Sequence, residues 1–105
     1  MPFVELSHGL AAEATESHAR IGAPGGDIGR ASGNVLVLAD TTKAVSRVHA
    51  RIVFRAKGAK IISLGSGGIA VDGQWLDPGE EAPIPAGTRI EIGPYLLQVT
   101  RYAET

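Results

Sequence analysis

Apolar side chains recur at every second position through much of the chain. Val48, Ala50, Ile52 and Phe54 alternate with His49, Arg51, Val53 and Arg55, which predicts a half-buried strand with its polar side facing water. Ile90 and Ile92 alternate with Arg89 and Glu91, and Tyr95, Leu97 and Val99 with Leu96, Gln98 and Thr100. Two runs, Val35-Leu36-Val37-Leu38 and Ile61-Ile62-Ser63-Leu64, are more continuously apolar and predict strands buried on both sides or close to the core. Ile69-Ala70-Val71, Asp72-Gly73 and Gln74-Trp75-Leu76 read as a hairpin, because Asp-Gly accepts the positive φ angles of a type I′ turn.

Turn residues break these runs at short intervals: Gly22 to Gly26, Gly33-Asn34, Gly65 to Gly68, Pro78-Gly79 and Pro85 to Gly87. Many short strands so spaced predict an all-β sandwich or barrel. The one helix candidate, Gly9 to Arg20, is rich in Ala and Glu but has little apolar face beyond Leu10, so it reads as loop plus strand. Residues 103–105 read as a frayed end. With 105 residues and no repeat or linker, the chain is expected to form a single domain over 1–105.

Composition narrows the function. The absence of cysteine rules out a disulfide framework and thiolate metal sites, and suits a reducing, cytoplasmic setting. The start, Met1-Pro2-Phe3-Val4-Glu5, shows neither a signal peptide nor a membrane span, so no direct membrane insertion is expected. The net charge of −1 conceals an asymmetry. Residues 20–60 hold Arg20, Arg30, Lys43, Arg47, Arg51, Arg55, Lys57 and Lys60 against Asp27 and Asp40, a balance of +6. Residues 61–105 balance at −4 and residues 1–19 at −3. A basic middle third can attract an anion, and the expectation is that it gathers at one end of the sandwich.

Three segments carry candidate chemistry: Ile28-Gly29-Arg30 at a strand end, Val45-Ser46-Arg47-Val48-His49-Ala50 at the entrance to the basic strand, and Leu64 to Gly73. In this order and spacing, with Leu76, the Pro83 to Gly87 turn and Ile90-Glu91-Ile92-Gly93 downstream, they resemble the forkhead-associated (FHA) family of phosphothreonine-binding domains across nearly the whole chain. The resemblance implies an FHA-like β-sandwich of about eleven strands with binding loops at one end. It implies a phosphothreonine-containing protein or peptide as partner, a Ser/Thr kinase upstream, and recognition without metal or cofactor. That family reads phosphorylated motifs through basic residues.

The resemblance carries residue roles with it. Arg30, whose planar donor fork suits phosphate, and Ser46, with a hydroxyl and an amide to donate, match family phosphate contacts. Arg47 can add charge or a backbone donor. His49, in the second segment, is implied to brace the Ser46 turn without touching ligand, and Gly29, in the first, to support the binding loop with it. Ser66 can offer a hydroxyl. In one place the chain departs from the family. The family loop commonly reads Ser, any residue, Asn, Gly, Thr, whereas Ser66-Gly67-Gly68-Ile69 is one residue shorter. The Asn that grips the peptide backbone is absent, Gly67 stands nearest its place, and Asp72 replaces the turn Asn. The alternative is therefore a degenerate scaffold of the same fold that binds an unphosphorylated protein in a secretion or other assembly. Gly26-Asp27-Ile28-Gly29-Arg30 and Ile90 to Tyr95 are also similar to bacterial modules of type VI secretion accessory proteins.

Enzyme readings are weaker. Asp40, Ser46 and His49 can be written as a hydrolase triad, but no Gly-x-Ser-x-Gly is present. Gly22 to Gly29 is glycine-rich, yet it lacks the Lys-Ser/Thr of a P-loop. Three dispersed histidines, His8, His18 and His49, make no metal-ligand pattern. Five aromatic residues and a pI near 6.3 argue against nucleic acid.

Overall fold

The computed structural model describes residues 1–13 and 16–104. Among the described residues eleven strands run in chain order: β1 (Phe3–Leu10), β2 (Ser17–Gly22), β3 (Gly25–Gly29), β4 (Leu36–Val37), β5 (Ala50–Arg55), β6 (Gly58–Ser63), β7 (Ile69–Val71), β8 (Gln74–Leu76), β9 (Glu81–Pro83), β10 (Arg89–Ile92) and β11 (Tyr95–Ala103). They form a six-stranded sheet in the order β2-β1-β11-β10-β7-β8 and a five-stranded sheet in the order β4-β3-β5-β6-β9. Every pairing is antiparallel except β3 with β4.

The period-two pattern puts one side of each sheet inside. Leu6, Ile90 and Leu97 from the larger sheet and Ile28, Ile52 and Ile61 from the smaller are fully buried in one continuous core. Burial of each such side chain is worth about 1.5–3 kcal/mol, so the facing apolar rows are what hold the sheets together. The predicted hairpin forms as β7–β8, with Asp72 at φ 50° and Gly73 at φ 81°, the left-handed pair that a type I′ turn needs. Asp72 also accepts the Arg89 amide at 2.9 Å through its side chain, tying the hairpin to β10. Residues 9 and 10 end β1 and residues 17–22 make β2, in keeping with loop plus strand. Residues 14 and 15 of that stretch, and Thr105, lie outside the described residues.

Four expectations change. The 35–38 run is not buried on both sides: only Leu36–Val37 is strand, at a sheet edge, and Val35 and Val37 are exposed while Leu36 and Leu38 point inward. An edge strand of a two-layer sandwich has only one dry face. The 61–64 run alternates for the same reason. Ile61 and Ser63 face the core and Leu64 lies at the surface, with the Ser63 hydroxyl donating to the Leu76 carbonyl. His49, placed by alternation on the wet side, is 1% exposed, because it precedes β5 and belongs to a loop whose geometry turns it inward. Finally, Ala103 is not frayed but pairs with Phe3 at the end of β11.

Candidate functional site

Three connections converge at one end of the sandwich: residues 30–35 after β3, residues 38–49 before β5, and residues 64–68 between β6 and β7. Backbone bonds lace the first to the second. The Arg30 amide donates to the Ser46 carbonyl at 3.0 Å and the Ala31 amide to the Arg47 carbonyl at 3.1 Å. The Asn34 side-chain amide donates to that same Arg47 carbonyl at 2.7 Å. Gly29 is required for this approach, since a Cβ there would clash with the Arg47 carbonyl and sit 2.7 Å from that of Ser46.

His49 ties the second connection to the third. Its Nδ1 accepts the Ser46 amide at 2.9 Å, so Nε2 carries the ring proton and donates to the Gly68 carbonyl 2.8 Å away. The His49 carbonyl in turn accepts the amides of Leu64 and Gly65. Gly65 lies flat on the imidazole, where a Cβ would come within 2.7 Å of the ring and 2.8 Å of Ser46 Oγ. Both histidine nitrogens are therefore spent on backbone, and neither can serve the Ser46 hydroxyl as a base. Asp40, the third member of the triad that can be written from the sequence, is spent as well. One carboxylate oxygen accepts the Thr42 amide and hydroxyl, and the other accepts the Val45 amide at 2.8 Å. The Thr42 hydroxyl above all, with the backbone amides of Val45, Thr42 and Ala44, holds this carboxyl below its usual range against a smaller opposing cost of desolvation.

This lacing sets up a cluster of donors. Arg30 uses Nε on the Val45 carbonyl at 3.1 Å, which anchors the inner edge of its guanidinium. Its two terminal nitrogens make no hydrogen bond or ion pair among the described residues, and neither does Ser46 Oγ. Arg30 and Ser46, joined through their backbones, thus each keep a free donor, and the exposed Ser66 and Gly67 follow Gly65 on the adjoining loop. The exposed Arg47 contributes its carbonyl to the lacing and leaves its side chain in water.

The rest of the basic segment behaves otherwise, which corrects the expectation that it gathers at one end. Arg51 pairs with Asp27 at 2.6 Å, Arg55 and Lys60 share Glu81 at 3.2 and 3.6 Å, and Arg20 pairs with Glu5 at 2.9 Å. Lys57 sits in the β5–β6 turn, at the far end. Only Arg30, Lys43 and Arg47 of the eight lie on the converging loops. The register that sets Asp27 opposite Arg51 and Ile62 opposite both Arg51 and Glu81 decides this, and a residue count cannot. Sequence reasoning also missed the roles of Asn34 and Asp40. Asp40 followed two residues on by Thr42 is a recognisable side-chain turn signal, whereas Asn34 offers none.

A family model for the FHA domain matches residues 26–93 of the chain. Among solved structures, the chain is similar to the FHA domain of CT664 from Chlamydia trachomatis, at 22% identity and a TM-score of 0.78, covering 98% of this chain and 100% of that one. It is similar to Mycobacterium tuberculosis EmbR in complex with a low affinity phosphopeptide, at 26% identity and a TM-score of 0.77, over 97% of this chain but only 25% of EmbR. The N-terminal FHA domain of Saccharomyces cerevisiae Rad53p in complex with a phosphothreonine peptide shares the fold at 14% identity and a TM-score of 0.71, over 90% of each chain.

Proposed function

Because the chain belongs to the FHA domain family, we propose that residues 1–105 act as one module that binds a phosphothreonine-bearing segment of a partner protein, the phosphate seated between Arg30 and Ser46. The observation that carries this reading is the pair of unspent donors, the outer edge of the Arg30 guanidinium and the Ser46 hydroxyl, carried by residues whose backbones are bonded to each other. A phosphothreonine brings up to two negative charges and three acceptor oxygens, which such a donor pair complements. A Ser/Thr kinase would create the ligand, in a cytoplasmic complex. The segments Gly26 to Arg30 and Ile90 to Tyr95 favour a type VI secretion accessory setting. His49 and Gly29 support the site from behind, and Arg47, Ser66 and Gly67 border it.

The shortened loop favours one other reading, a scaffold that binds an unphosphorylated protein, since no Asn is present at Gly67 to grip an extended peptide. Calorimetric titration with a peptide drawn from an oriented phosphothreonine library, in phosphorylated and unphosphorylated form, separates the two. Binding of the phosphorylated form alone supports the phosphate site. Equal binding of both forms transfers the conclusion to the scaffold.

A further inference from the structure

The outer face of the six-stranded sheet carries a row that crosses it strand by strand: Trp75 on β8 opposite Ala70 on β7, Ala70 opposite Glu91 on β10, and Glu91 opposite Leu96 on β11. At the loop end of this row is a hollow of about 360 Å³, bordered by Ala44, Gly67, Gly68, Trp75, Glu91 and Gly93 and by His49, whose two ring nitrogens are already held by backbone. Gly67 belongs to the loop beside the donor pair, and Ala44 lies two residues before Ser46, so the hollow continues from the proposed phosphate seat.

Two of its side chains are unusual for this molecule. Trp75 is the only tryptophan and is 58% exposed, and its ring lies against Gly68, so close that a Cβ there would be 2.7 Å from Cζ2. Glu91 makes no hydrogen bond or ion pair among the described residues, whereas Glu5, Asp27 and Glu81 are each paired with a cation across the sheets. Arg89, two residues along on the same face, does not pair with it. An indole and an unpaired carboxylate on either side of a floor of glycine and alanine suit a long aliphatic stem ending in a cation, which gains from both.

We propose that this hollow takes a lysine or arginine side chain of the bound segment, so that the ligand is a phosphothreonine flanked by a basic residue. The inference rests on the phosphate-site reading for its register, and its test is separable from it. An oriented phosphothreonine peptide library on the wild-type protein should show Lys and Arg enriched at one flanking position. An exposed cation–π contact and an ion pair together give roughly 3- to 30-fold over alanine there. Glu91→Lys should reverse the preference at that position to Asp and Glu while dependence on phosphate stays. The fluorescence of Trp75 should change on adding a phosphopeptide with Lys at that position, and change less in Glu91→Gln. Both substitutions are at an exposed site, so folding is checked simply by melting. Phosphate-dependent binding with no basic preference, or with one that survives Glu91→Lys, overturns the inference and leaves the phosphate site standing. Where phosphate makes no difference, unphosphorylated peptides still decide. A basic preference abolished by Glu91→Lys upholds the hollow, and none at all overturns it.

Discussion

Arg30 and Arg51 lie on neighbouring parts of one sheet, the first just beyond β3 and the second on β5, yet they do different work. Arg51 faces Asp27 directly in the β3–β5 register and gives its Nε to that carboxylate at 2.6 Å. Arg30 follows the last paired residue, and the chain that meets it there brings carbonyls in place of a carboxylate. A neutral carbonyl orients a guanidinium without cancelling its charge, so Arg30 keeps both its positive charge and its outer donors for something else. The same residue type therefore holds the sheet together in one place and is poised for an anion in another. The difference is made by backbone geometry a few residues away.

The strongest way to break the contrast is to remove what holds the loops. His49→Ala should leave the Ser46 amide and the Gly68 carbonyl without partners in a buried setting, at about 1–3 kcal/mol for each group. Thermal melting should show Tm falling by roughly 10 °C or more for a domain of this size, with phosphopeptide affinity lost alongside. An unchanged Tm would mean that His49 is not the brace described above. Next comes the direct comparison. Arg30→Ala should weaken phosphopeptide binding by roughly 10- to 150-fold, the equivalent of about 1.5–3 kcal/mol for charge-assisted hydrogen bonds, with Tm nearly unchanged. Arg51→Ala, measured by the same calorimetry, should leave affinity alone.

Much of this was legible in the sequence. The β7–β8 hairpin followed from Asp72-Gly73, and β10 and β11 followed from strict alternation with Ile90, Ile92, Leu97 and Val99 inside. The neighbourhood of Arg30 and Ser46 was legible through the order of its motifs. What stayed hidden depends on contacts between segments distant in sequence. The resemblance implied the bracing role of His49, but alternation put the residue in water because it treats each strand as flat and continuous, whereas the chain bends into a loop at Val48 and turns the imidazole under Gly65. The pairing of Arg51, Arg55 and Lys60 follows from register, which is a property of two strands at once. The exposed valines at 35 and 37 depend on β4 being an edge.

Smaller effects sharpen the site. Gly67 has an ordinary backbone conformation and its nearest neighbour to a new Cβ would be His49 Cε1 at 3.8 Å, so Gly67→Asn can be accommodated without strain. An asparagine that reaches the peptide backbone with one or two bonds should tighten binding by roughly 2- to 150-fold, at about 0.5–1.5 kcal/mol each. Titration with matched peptides reads this directly, and unchanged affinity would show that the shortened loop cannot aim the amide. The mildest effect is in acid. The Asp40 carboxyl sits below its ordinary 3.8 in the folded chain, so its hold on the 40–45 turn is complete above that value and is lost as pH falls through the lowered pKa. Exchange protection of the Val45 amide should fall in that acid range, and Asp40→Asn should abolish the dependence.

The most direct test of where the ligand sits is an amide chemical-shift map recorded while a phosphothreonine peptide is added to the labelled domain. The donor pair at the loop end predicts the largest shifts at Arg30, Ser46 and Gly67, with Arg51 and Arg55 on the sheet face unmoved, and no comparable change with the unphosphorylated peptide. Shifts centred on the Arg51–Asp27 face, or an identical map from both peptides, would contradict it.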